Sequence, residues 1–131
     1  MFLNWLTRGV TVVGGVIAVL FGWPITQAAW QAQRADGTLY ALRTQKRVDV
    51  GEATRSLEAL SRAIVFDPVS GRYLVRSELL GTAAFTPTLM LEPAQRTDWM
   101  RRARLDLFSG LANAPARGID WLRLAALEQQ L

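Results

Sequence analysis

Asp49, Glu52, Asp98, Asp106 and Asp120 are carboxylates that could act chemically, since pairs of them can run glycosidic chemistry. Each has a plainer role: Asp49 and Asp120 read as helix-entry or cap residues, the others as parts of solvated helix faces. Ser61 and Ser109 lack a base of the usual kind, because the sequence contains no histidine. It contains no cysteine either, which removes thiol nucleophiles, thiolate zinc sites and disulfides. A glycine-rich phosphate loop and metal-ligand spacing are also missing. The expectation is a non-enzyme with no catalytic, cofactor-binding or metal site. The sharpest polar cluster is Trp99-Met100-Arg101-Arg102-Ala103-Arg104, a pattern suited to single-stranded nucleic acid or anionic headgroups. On a helix Trp99 and Ala103 share one face while the arginines spread over the others, so a core tryptophan beside a solvated basic face is expected. The net charge of +4 is small and dispersed, and neither a nucleic-acid partner nor a small-molecule substrate is expected.

These side chains need a frame, and its first element is the uncharged run between Arg8 and Arg34. At about 1.5 Å per residue, some twenty residues cross a hydrocarbon core roughly 30 Å thick. Lipid leaves no partner for free backbone groups, so the run should be helical. Trp5 at one end and Trp23 and Trp30 toward the other suit the water–lipid boundary. Gly14, Ala18 and Gly22 recur every four residues, the spacing of small-residue stripes on which membrane helices pack. Pro24 is expected to kink or end the regular helix.

A secretory signal begins the same way, and Thr26-Gln27-Ala28 resembles a small-residue cleavage site that would release a soluble domain near Ala29. The uncharged run continues to Gln33, longer than a usual signal core, so a retained single-pass anchor over residues 1–34 is expected. Arg34, Arg43, Lys46 and Arg47 after the span argue for a cytoplasmic domain. The short basic flank and early apolar core argue the other way. The expected arrangement is a bacterial inner-membrane protein with its C-terminal domain in the periplasm. The bacterial assignment rests on composition rich in arginine, alanine and glycine, with Lys46 the only lysine.

After the anchor, residues 35–49 read as a linker carrying one or two helical turns after a break at Gly37. Residues 50–131 read as an all-α domain of helical hairpins. Asp49 stands three residues before Glu52, resembling a capping box. Leu57, Leu60, Ala63 and Ile64 then form one apolar stripe over about 50–66, and Pro68 closes the helix. Ser70 can cap a helix over about 70–82 that buries Tyr73, Leu74 and Leu80. An apolar loop follows, with Phe85, Leu89, Met90 and Leu91 between Gly81 and Pro93. It is expected to fold over the helices as core, with a lid or contact patch as the alternative. A long helix runs from Pro93 to about 113 with Trp99, Ala103, Leu107, Gly110 and Leu111 on one side. Past Pro115, a last helix covers residues 121–130.

A shift of 47 residues aligns Leu60 with Leu107, Ile64 with Leu111 and Pro68 with Pro115. It also aligns Gly71 with Gly118, Leu74 with Trp121, Arg76 with Arg123 and Leu80 with Leu127. Such repetition marks stacked helical units. Ala103, Gly110, Pro115, Trp121, Leu124 and Ala125 resemble the tetratricopeptide repeat family, and Ala63, Pro68 and Leu74 carry an earlier, partial copy. Ser77 and Glu78 depart from the pattern, and the spacing of 47 exceeds the family's 34. The resemblance implies antiparallel helix pairs that stack into a protein-binding scaffold, with the apolar Trp121 helix capped by another chain or by the apolar loop.

The expected function is a non-catalytic membrane subunit that scaffolds or stabilises a larger complex. Its partners would be other membrane subunits and lipid. Gly14, Ala18 and Gly22 are the expected contacts in the span, and Phe85, Leu89, Met90, Trp121, Leu124 and Leu127 those in the domain. The alternatives are a cleaved, secreted binding module and an accessory protein of envelope polysaccharide or secretion machinery.

Overall fold

The computed structural model describes residues 2–131, with side chains described from residue 12 onward, Ser70 excepted. Among these residues there are five α-helices and no strand. The first, α1 (Phe2–Arg43), is 42 residues long, about 63 Å at the ordinary helical rise. From Val12 on it is long and apolar enough to cross a membrane, and 6% of its most apolar window is buried. Pro24 lies inside the helix without ending it. The Thr26 hydroxyl donates to the Gly22 carbonyl at 2.9 Å, one turn back beside the proline.

The break expected at Gly37 does not occur. The same helix runs on to Arg43, and its last third turns Ala35, Leu39 and Leu42 into the domain core. A mid-helix glycine costs about 1 kcal/mol against alanine, whereas burying a leucine returns roughly 1.5–3 kcal/mol. Tertiary burial therefore outweighs local propensity, and residues 35–43 of the expected linker are helix packed into the core, with 44–49 forming the turn to the next helix. It ends where Gln45 takes a left-handed φ of 55° and the Lys46 amide reaches back to the Ala41 carbonyl at 2.9 Å.

The second helix, α2 (Val50–Phe66), shows the N-cap half of the expected capping box: Asp49 Oδ1 accepts from the Glu52 amide at 2.6 Å. Its inner face is made of Ala53, Ala59, Leu60 and Ala63, so α1 can approach closely. Thr38 and Ser56 share a buried hydrogen bond of 2.6 Å, which fixes the antiparallel register of α1 against α2. The α2 helix stops before Pro68, and Arg72 Nη1 donates to the Asp67 carbonyl at 2.6 Å across the turn. Next comes α3 (Ser70–Phe85), which starts at Ser70 with Val69 in the cap position, and runs one turn further than expected. A 3-10 turn over Pro87–Leu89 follows; it buries Leu89 and leaves Met90 exposed with a φ of 47°.

The fourth helix, α4 (Pro93–Asn113), buries Trp99, Ala103, Leu107, Gly110 and Leu111 on one side, as the spacing predicts. The fifth, α5 (Gly118–Glu128), starts three residues earlier than expected and buries Leu124 and Leu127. Packing follows chain order. α1 lies against α2 and α3, α3 against α2 and α4, and α4 against α5. Leu60, Leu79, Leu107 and Leu111 are the large apolar side chains at the centre, each with 2% exposure or less.

Candidate protein-binding groove

α3 and α5 both lead away from the turns at one end of the domain, and a groove of about 480 Å³ lies between them. Gly81, Thr82 and Phe85 of α3 form one wall; Ala126 and Leu127 of α5 form the other. The floor is Leu107 of α4, 1% exposed. Gly81 leaves open space where a side chain would narrow the channel. Phe85 sits on the rim with half its surface in solvent. A cleft with an apolar floor and an aromatic rim suits an apolar side chain or a short amphipathic helix.

Glu78 marks the polar end of this groove. Arg43 of α1 and Arg123 of α5 both bind its Oε1, Arg123 at 3.0 Å and Arg43 through its Nε at 3.0 Å and its Nη2. Arg123 also donates to Asp120 Oδ1 at 2.9 Å. Arg117 Nε stands 2.9 Å from the other oxygen of Asp120, whose side chain is fully buried. One chain of charges thus crosses three helices that are remote in sequence, and it aligns α5 beside α3. In the sequence Glu78 stands out only as a departure from the repeat pattern. The signal that could have found it is Arg123, which repeats Arg76 at the spacing of 47 and needs an anion on a neighbouring helix.

The other carboxylates are committed one by one. Asp106, expected on a solvated face, is 5% exposed and accepts two 2.7 Å hydrogen bonds from Arg76. It is a tie between α3 and α4. Arg76 also donates to Ser61 Oγ at 3.0 Å, reaching α2 as well. The Asp106 hydrogen bond outweighs partial burial and holds Arg76 more firmly protonated than usual. In the basic cluster, Trp99 and Met100 are buried, Arg102 pairs with Asp98 at 2.9 Å, and Arg104 pairs with Glu128 at 2.5 Å. Asp49 serves α2 as its cap.

The residues expected to meet a partner fall in three places. Phe85 and Leu127 line the groove, Leu127 with 4% exposure. Leu89 and Leu124 are in the core, whereas Met90 stands in solvent beside Leu89. Trp121 is at the far end of α5, half exposed, its indole N–H on the Pro115 carbonyl at 2.9 Å. In the apolar part of α1, Ala18 is exposed, and a side chain added at Gly14 or Gly22 would meet nothing within 4 Å. Trp23 and Trp30 are exposed, Trp30 under the Arg34 guanidinium at 5.6 Å. Trp5 lies outside the residues whose side chains are described. No protein-family model, no curated protein and no solved structure matches this chain.

Proposed function

We propose that this chain is a non-catalytic, single-pass membrane subunit, tetratricopeptide-like in its helical domain, that holds another protein in the groove between α3 and α5. The observation that carries the reading is the continuity of α1. From Val12 one helix is exposed and apolar at first and core-forming over its last third, so a span and a domain are joined without a flexible linker. A rigid mount raises the effective concentration of a groove at the bilayer, so modest contacts suffice.

The order in which the helices pack, each against its chain neighbour and α1 also against α3, is what stacked antiparallel pairs would give. We place the protein in a bacterial inner membrane with its domain on the periplasmic side. The partners are other membrane subunits.

The test is affinity purification of the full chain in mild detergent, followed by mass spectrometry, for the wild type and for Phe85→Glu. A defined set of membrane proteins should accompany the wild type and be lost from the variant. An identical set for both overturns the groove assignment. Native protein in the aqueous fraction, with its N-terminus near Ala29, overturns the anchor.

A further inference from the structure

Two registers decide which end of the domain faces the lipid. Thr38 and Ser56 meet across α1 and α2, and ten residues in each direction, about 15 Å, bring Phe66 level with Ala28. Ala28 belongs to the uncharged run, yet it is completely buried, as expected where α2 ends beside α1. Arg76 and Asp106 meet across α3 and α4, which returns the end of α4 and the start of α5 to the same level. The turn between α2 and α3 therefore sits where the apolar span gives way to the domain, beside Trp30.

That turn is built wrongly for water. Val65 is 82% exposed, and Phe66 and Val69 about half, around Pro68. Ile119, at the neighbouring turn, is exposed too. The charged groups at this end are Arg34, Arg62, Arg72 and Arg117, with Asp67 engaged by Arg72 and Asp120 by Arg117. Arg34 and Arg62, which pair with no carboxylate among the described residues, suit a headgroup layer beside the apolar tip, where long cationic side chains reach phosphates while the tip enters the acyl boundary. At the opposite end the first loop, Thr44-Gln45-Lys46-Arg47, is exposed and polar, and the second exposes Met90 and Phe85 but lies far from the uncharged run.

We propose that the α2–α3 turn is a second membrane contact, with Val65, Phe66 and Val69 inserted in the interface of the bilayer that α1 crosses. This rests on the anchor reading, and it adds the domain's posture: α3 stands away from the lipid, and Phe85 lies some 22 Å beyond Ser70. The groove then faces a partner that rises well above the membrane surface.

The chain has no cysteine, so single labels are clean. Val69→Cys, Thr88→Cys and Val16→Cys variants of the full chain carry an environment-sensitive fluorophore in vesicles of phosphatidylcholine and phosphatidylglycerol. Nitroxide lipids labelled shallow or deep quench the probes. Shallow nitroxides should quench the Val69 probe at least twofold more than the Thr88 probe, with deep nitroxides quenching the Val16 probe. Val65→Cys should repeat the Val69 result. A Val69 probe no more quenched than Thr88, with Val16 quenched, overturns the second contact and leaves the anchor standing. A Val69 probe shielded from iodide but untouched by nitroxide lipids means that protein covers the turn, and also overturns it. A Val16 probe that escapes deep quenching removes the anchor and the turn contact together.

Discussion

The α1–α2 hairpin and the α3–α4 hairpin are fastened by different means. The first is close and neutral, with Ala35, Ala53, Ala59 and Ala63 fully buried and a buried hydroxyl pair tying the two helices. The second is bulky and ionic, with Leu79, Leu107 and Leu111 at its centre and the Arg76–Asp106 pair across it. The difference matches their settings. The first hairpin begins in an apolar stretch, where an unpaired charge would be costly, and small residues let helices meet without one. The second lies further along the chain, and Arg76, with 23% of its side chain exposed, can keep some contact with water while its partner is buried.

The largest effect should come from the leucine centre. Leu107→Ala removes a side chain with 1% exposure that both packs the core and floors the groove. A loss of about 3 kcal/mol in unfolding free energy is expected from chemical denaturation of the full chain in detergent. The matching change in the first hairpin, Ala59→Gly, should cost about 1 kcal/mol, since little volume is lost. Equal losses would abolish the contrast.

The ionic tie comes next. Asp106→Ala leaves Arg76 half-buried without its anion, and a loss of about 2–3 kcal/mol is expected. Arg76→Met with Asp106→Leu should recover most of it, because a well-packed apolar pair can replace an ion pair at little cost. Arg76 has its folded-state proton affinity raised, so its contribution is fully present below the ordinary arginine range and lost only as pH rises beyond it. Denaturation between pH 7 and 9 should therefore show a constant difference between Arg76→Met and wild type. A difference that shrinks across that window would mean that another group carries the effect.

The hydroxyl tie should be smaller. Thr38→Val leaves Ser56 buried without its partner in α1 and should cost about 1–2 kcal/mol. Thr38→Val with Ser56→Ala should be nearer wild type, as both polar groups are gone.

Legibility in the sequence follows the range of the interactions. The α2 limits were readable because Asp49 and Pro68 act on the backbone beside them, and Pro93 and Ala114-Pro115 did the same for α4. The core face of α4 was readable because Trp99, Ala103, Leu107 and Leu111 keep helical spacing. Glu78 and Asp106 were not readable as anchors. Their arginine partners stand 30 to 45 residues away, and no local pattern announces which carboxylate will be buried. The groove was half legible. Phe85 and Leu127 stand out in the sequence for their apolarity, but the groove between them forms only once α5 lies across from α3.

Gly37 is where local and distant effects compete most directly. Its own preference is to loosen a helix, and the burial of Ala35, Leu39 and Leu42 on either side holds the helix closed. A methyl group there would meet nothing within 4 Å, so Gly37→Ala adds helix preference without a clash. It should raise stability by about 0.5–1 kcal/mol in denaturation. If the domain is mounted rigidly on its span, the same variant should leave distances between spin labels at Val16→Cys and Thr88→Cys unchanged in mean. A marked narrowing of the distance distribution would instead mean that wild-type α1 bends at Gly37. The first hairpin would then be hinged on its anchor, whereas the second is locked.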